Sequence, residues 1–262
     1  MMTSERVMVR VLSLGGGVQS TAIAILIAQG RLPKPDLVVI VDTSREREST
    51  WRYLGEYTEP LFRSMDIPFA RIRTRDYLLD RPDEVPIVEC GRVLIPAFIQ
   101  HPGGAKGKMR GYCSGRWKER VFKRYLRSLG MNLVEVWIGI SQDESRRRRE
   151  SGLAWYRHRY PLLALNLSRN DCHGIIREYK WPQPLKSSCW MCPHMRAPEW
   201  VEMQRNYPAD FEAACRLDEH MRTINPRAYL TVKCRPLRDG VDTFARQECL
   251  ELSGCGAGFC FS

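Results

Sequence analysis

Hydrophobic positions in the first half of the chain alternate between short apolar runs and helix-length patterns. Val7 to Leu14 reads as a strand ending in Gly15, Gly16 and Gly17, and Ser20 to Gln29 as a short, nearly all-apolar helix buried against a sheet. Asp36 to Asp42 is a continuous β-branched run, the pattern of a strand covered on both faces. A polar helix is expected from about Ser49 to Met65, with further strands over Pro68 to Arg73 and Leu133 to Ile140. This alternation predicts right-handed crossovers and a mostly parallel sheet. Residues 80–112 are irregular and rich in Pro and Gly, and a helix from about Gly115 to Leu129 presents Trp117, Val121, Tyr125 and Leu129 as its core face. Beyond Ser141 the pattern turns helical and is punctuated by Pro161, Pro182, Pro184, Pro193, Pro198 and Pro208. The expected organisation is an α/β core over residues 1–150 and a helical, cysteine-containing extension over 151–262, packed on the core and not autonomous.

Composition narrows the class. The chain has 262 residues with 44% hydrophobic and 27% charged positions, a globular balance. It has no run of 18 apolar residues, so no membrane span is expected. The start MMTSERVMVR lacks the apolar stretch of a secretory signal, which points to the cytoplasm. Lys and Arg number 41 against 30 acidic residues, for a formal charge of +11. That excess favours anionic partners such as nucleic acid, nucleotides or sulfated and phosphorylated metabolites, with a merely basic surface as the alternative. Arg146 to Arg149 is the sharpest local contribution.

Two segments carry chemistry. Ser13-Leu-Gly-Gly-Gly-Val-Gln-Ser-Thr21 joins a buried strand to a helix, where glycines admit close backbone approach and a helix N-terminus offers N–H groups to phosphate. A Walker A loop would need Gly-Lys before Ser20, and a dinucleotide fingerprint would need glycine at that position. The second is Cys189-Trp-Met-Cys192, followed by Pro193 and His194. In a reducing compartment this spacing suits zinc, an iron–sulfur cluster or a redox dithiol rather than a structural disulfide. Cys113 lies in a Gly- and base-rich stretch, and Cys249, Cys255 and Cys260 crowd the tail.

Gly15 to Thr21 resembles the pyrophosphate loop (PP-loop) of the adenine-nucleotide α-hydrolase superfamily, with Gly15 and Gln19 replacing that loop's Ser and Asp. Four further segments are similar to the phosphoadenylyl-sulfate (PAPS) reductase-like branch. They are Val41 to Glu46, Gly104 to Lys118, Gly139 to Arg147, and Lys186 to Pro193 with Glu199 and Trp200. The resemblance spans about residues 11 to 220. It implies an open, parallel five-stranded HUP-type sheet with the nucleotide at the carboxyl ends of the strands and a mostly helical C-terminal extension. It further implies a nucleotide-binding set of Ser13, Gly15, Gly16, Gly17, Gln19, Ser20, Thr21, Asp42 and Gly139. Asp42 reads equally well as a cap after its strand.

The same resemblance implies roles for cations and thiols. Lys118 and Arg147, with Arg110 beside them, would neutralise phosphate or sulfate charge, and Asp143 and Glu144 would hold Mg²⁺ or pair with the arginine run. Cys113, Cys189 and Cys192 would supply three ligands to an iron–sulfur cluster, or to zinc with His194. A fourth ligand from the tail is a further option. Cys255 or Cys260 would stand where reductases carry a nucleophilic cysteine, although the usual tail ending is absent. The expected activity is ATP-dependent adenylation with pyrophosphate release and sulfur transfer to a nucleic acid or other acceptor, served by a sulfur donor. Two alternatives stand beside it: reduction of phosphoadenylyl sulfate to sulfite, with Cys260 as nucleophile and a thioredoxin-type partner, and non-catalytic nucleic-acid binding, to which Gln19 lends weight.

Overall fold

The computed structural model describes residues 8–78 and 86–241. Among them no helix is long and apolar enough to cross a membrane. The chain divides into two compact units, residues 1–85 with 114–187, and residues 86–113 with 188–262.

The first unit is built on five parallel strands. They are β1 (Val9–Ser13), β2 (Leu37–Asp42), β3 (Phe69–Arg73), β4 (Val134–Ile138) and β5 (Tyr156–Arg159), in the spatial order β3-β2-β1-β4-β5. Period-2 alternation sorts their side chains onto two faces. Val38 and Ile40 of β2 join one core with Leu12 and Trp137, while Leu37, Val39 and Val41 join the other with Val11, Val134 and Val136. Every residue of β2 is buried, as its β-branched run predicts.

Helices cover both faces. On one side lies α1 (Val18–Ala28), buried along nearly its whole length, which explains why its sequence is apolar all round. The polar helix expected after β2 forms as α2 (Glu48–Tyr53) and α3 (Glu59–Ser64), joined by a π-turn over Leu54–Thr58. Pro60 sits in the first turn of α3, and its missing N–H and bulky ring account for the widened turn before it. On the other face, a π-turn over Ser114–Glu119 leads into α4 (Arg120–Ser128), with Trp117, Val121, Phe122 and Leu126 buried. Leu129, expected on that face, is 49% exposed, because it caps the helix and leaves the stripe. After β5 comes α5 (Arg169–Glu178), opened by a Ser168 cap whose hydroxyl accepts from the Asp171 N–H at 3.1 Å.

Residue 150, where the boundary was expected, falls inside this unit. β5 lies beyond that residue and pairs with β4 through Val134↔Tyr156 to Trp137↔Arg159. Its sequence, Tyr-Arg-His-Arg, hides it: an edge strand needs little apolar surface and carries charges that deter further pairing.

The second unit contains an antiparallel pair, Val88–Glu89 with Arg92–Val93, and a three-stranded sheet of Phe98–Gln100, Lys106–Lys108 and Ala228–Tyr229. Its helices are α6 (Ala197–Asn206) and α7 (Pro208–Ile224). Asp218 of α7 is buried, and its carboxylate accepts from the N–H groups of Leu230 and Leu237, each at 2.9 Å, and from Arg222. This ties the segment after the last strand to the helix.

Candidate phosphate-binding site

The strand order places a topological switch between β1 and β4. From β1 the chain turns one way to β2 and β3, then crosses back to β4 on the other side. Open α/β sheets bind ligands in the crevice at the carboxyl ends of such a pair. Ser13 ends β1 opposite Ile138 of β4, and the segments that follow, Gly15 to Ser20 and Gly139, meet there.

Two glycines fix this crevice. Gly16 has φ +70°, and a Cβ on it would lie 2.8 Å from Thr50 Cγ2. A Cβ on Gly139 would sit 3.3 Å from both Gln19 Cβ and the Ser20 nitrogen, so glycine lets the end of β4 lie close against the first turn of α1 without displacing it. Ser20 closes the loop: its hydroxyl accepts from the Gly17 N–H at 3.1 Å and lies 2.9 Å from the Gly17 carbonyl oxygen. No acidic residue stands in the first turn of α1, so the helix dipole is unopposed there. Gly15 is exposed with nothing within 4 Å of a Cβ, so the loop backbone faces open space.

That space is a cleft of about 330 Å³. Its walls combine Ser13, Gly15, Gly17 and Ser20 with the cations Arg147, Arg169 and Lys186. The acid among the lining residues is Glu144, which accepts from Arg147 Nη1 at 2.8 Å and from Gln19 Nε2 at 3.2 Å. Arg169 Nη1 donates to Gln19 Oε1 at 3.2 Å, so Gln19 bridges an acid and a base through its amide. Asp143 is turned to structural use, accepting from the Ser141 hydroxyl at 3.2 Å and from the Arg169 N–H.

A second hollow of about 270 Å³ shares Ser13, Gly15 and Ile138 with the cleft. Its wall is apolar through Ile40, Val41 and Val136, and Lys118 enters it paired to Glu46 at 2.6 Å. Thr43 Oγ1 donates to the other Glu46 oxygen at 2.7 Å.

Among the residues expected to bind nucleotide, Ser13, Gly15, Gly17, Gln19, Ser20 and Gly139 line the cleft. Gly16 packs against Thr50, and Thr21 is buried within α1. Asp42 is also buried, with one oxygen accepting from Arg71 Nε and Nη2 at 3.0 and 2.7 Å and the other from the Ser44 N–H at 2.7 Å. This is the capping arrangement after a strand, with Ser44 at φ +59° in the turn. Arg147 lies in the cleft and Lys118 in the hollow. Three polar lining residues were not expected at this site: Arg169, Ser187 and Lys186. Lys186 had a sequence signal in its place before the Cys-x-x-Cys segment, whereas Arg169, 150 residues from Gln19, had none.

Cys113, Cys189 and Cys192 all belong to the second unit. Cys189 and Cys192 are half-buried on one turn, closed by a hydrogen bond from the Cys192 N–H to the Cys189 carbonyl oxygen at 3.0 Å. Among the described residues no group of three or more His, Cys, Asp or Glu side chains is placed to hold a metal ion. Cys249, Cys255 and Cys260 lie outside the described residues.

Fold and site together define an α/β protein with a basic, glycine-lined cleft at its sheet's switch point. No protein-family model and no curated protein matches the chain. Among solved structures it is similar to U34-tRNA thiolase NcsA from Methanococcus maripaludis, a structure that holds a 4Fe-4S cluster. Identity is 12% and the TM-score 0.43, over 97% of this chain and 74% of that one.

Proposed function

We propose that this protein binds ATP at the switch point of its first unit and transfers the adenylyl group to an oxygen of a nucleic-acid acceptor, releasing pyrophosphate. A sulfur nucleophile then displaces AMP from the activated carbon. The observation that carries this reading is the cleft itself, where the loop Gly15 to Ser20 and the α1 N-terminus face Arg147, Arg169 and Lys186.

The chemistry follows from that charge. As an acceptor oxygen bonds to the α-phosphorus, the bond to the bridging oxygen breaks and negative charge grows on the departing pyrophosphate. Fixed cations and backbone N–H groups aimed at that charge lower the barrier without reorganising. The neighbouring hollow, apolar through Ile40, Val41 and Val136, suits the flat adenine ring.

The test uses anaerobically purified protein, ATP and Mg²⁺, with and without bulk nucleic acid, and measures AMP and pyrophosphate. Pyrophosphate release stimulated by nucleic acid and lost in Ser20→Ala is expected. Loss of the hydrogen bond that Ser20 accepts from the Gly17 N–H costs about 1 kcal/mol, so a thermal melt checks that the variant is folded. Sulfite release from phosphoadenylyl sulfate without any pyrophosphate would replace this reading with the reductive one.

A further inference from the structure

The arginine run does not act as one patch. Arg147 turns into the phosphate cleft, while Arg148 and Arg149 line a separate open basin of about 710 Å³. The opposite wall is β5, which adds Arg157, His158 and Tyr160. The loop between is pinned: Tyr160 Oη donates to the Arg149 carbonyl oxygen at 2.6 Å and accepts from the Arg149 N–H at 2.9 Å. His158 Nδ1 lies 2.8 Å from the same carbonyl oxygen, and its ring stands edge-on to Tyr160 at 6.1 Å.

The charge of this basin is unspent. Arg159 is neutralised by Glu135 at 3.1 Å, but among the described residues Arg148, Arg149 and Arg157 have no acidic partner. Glu150 is the acid in the lining. Charges on an edge strand also deter sheet extension, yet that need is met without a concave basin and a loop held to form it. The basin also adjoins the proposed reaction site, because His158 lines both it and the hollow that holds Lys118.

We propose that the Arg148–Arg149–Arg157 basin is the docking surface for the phosphate backbone of an RNA acceptor, with His158 and Tyr160 offering ring faces to its bases. Guanidiniums beside aromatic rings in a concavity match a polynucleotide, whose charges and flat bases alternate along the strand. The lining also holds Leu153, Ala154, Leu163 and Ala164. A membrane surface is still the poorer fit, since a bilayer is met by a protruding apolar face and this basin is a recess with arginines in its lining. This inference rests on the nucleotide-site reading above for the direction in which the acceptor points.

The test measures fluorescence anisotropy of a short, fluorescein-labelled, mixed-sequence RNA across a salt series. The variant is Arg148→Ala/Arg149→Ala/Arg157→Ala. An equal-charge control, Arg31→Ala/Arg177→Ala/Lys180→Ala, removes exposed cations elsewhere on the same unit. The basin variant is expected to lose at least about tenfold in affinity, with the salt slope shallower by about 2 for three lost phosphate contacts. Binding of a non-hydrolysable ATP analogue should be unchanged, and the control should lose much less. Unchanged RNA binding in the basin variant, an equal loss in the control, or a loss confined to anionic phospholipid vesicles would overturn the proposal. Pyrophosphate release is scored separately. Basin-dependent RNA binding without pyrophosphate sinks the adenylation reading alone, and pyrophosphate with basin-independent RNA binding sinks the docking surface alone.

Discussion

The cleft and the hollow share Ser13, Gly15 and Ile138, yet their electrostatics differ sharply. The cleft gathers Arg147, Arg169 and Lys186 against Glu144. The hollow sets Lys118 against Glu46 within apolar walls, while Glu119 at its edge pairs with Lys123. One strand end therefore presents a basic cleft on one side and a largely apolar hollow with a paired lysine on the other. A molecule with a phosphate chain at one end and a neutral heterocycle at the other matches both at once. The contrast also separates the two cations singled out in the sequence: Arg147 stands among excess positive charge, whereas Lys118 is held by a carboxylate.

Reversing the cleft's charge should have the largest effect. Arg169→Glu is expected to lower pyrophosphate release by roughly a hundredfold, since it replaces a charge-assisted contact with repulsion. It also breaks the Gln19 contact, so Arg169→Gln, which keeps a donor without the charge, should recover part of the loss. An Arg169→Glu enzyme as active as the wild type would remove the cleft from the reaction. A smaller, cleaner loss is expected from Gly15→Ala. The added methyl meets nothing within 4 Å and the backbone needs no positive φ, so the melting temperature should hold. The methyl nevertheless fills the space where a phosphate would approach the loop, and ATP affinity should fall about tenfold, as for a lost charged hydrogen bond. Isothermal titration with a non-hydrolysable analogue reads this directly.

These comparisons need the shared scaffold intact, and Cys172 contributes to its alkaline limit, alongside buried phenols and other buried thiols such as Cys215. It lies on α5, fully buried in the same core as α1. Burial pushes its thiol up to about 11 from 9.0. The folded state therefore keeps a proton that the unfolded chain releases, and this contribution to stability is present below about 9 and lost as pH rises towards 11. Denaturant midpoints should begin to fall in that window, and Cys172→Ala should flatten this fall while lowering the midpoint overall. A wild-type midpoint that stays level from pH 9 to 11 would contradict the assignment.

What the sequence discloses about this site depends on how local the signal is. Ser13 to Ser20 is contiguous, and a glycine run between a β-branched strand and an apolar helix marks this loop as a candidate phosphate site by its residues alone. The strands with apolar runs, β1 to β4, are equally legible. β5 is not, because an edge strand of Tyr-Arg-His-Arg carries no hydrophobic run, and its absence from the pattern moves the expected boundary to residue 150. Arg169 is hidden for a different reason. It reaches Gln19 only because α5 packs against α1, and no spacing rule links positions so far apart. Asp42 shows the opposite limit: its place at a strand end is clear from the sequence, but its role is decided by Arg71, a partner brought to it by the pairing of β2 with β3.

The smallest expected effect tests the hollow. Lys118 and Glu46 form a pair whose lysine is 43% exposed and whose glutamate is 6% exposed. If the hollow receives a neutral ring, Lys118 serves mainly to neutralise Glu46, and losing both charges should matter less than losing one. Lys118→Met alone takes the paired cation from a buried carboxylate, and should weaken ATP binding by about threefold and stability by about 1 kcal/mol. Adding Glu46→Gln, which still accepts from Thr43, should restore most of both. The double-mutant cycle then yields a coupling of about 0.5–1 kcal/mol. Near-zero coupling with a large loss of pyrophosphate release in Lys118→Met would mean that the lysine acts on the nucleotide's charge, and that the two sides of Gly15 are both anion sites.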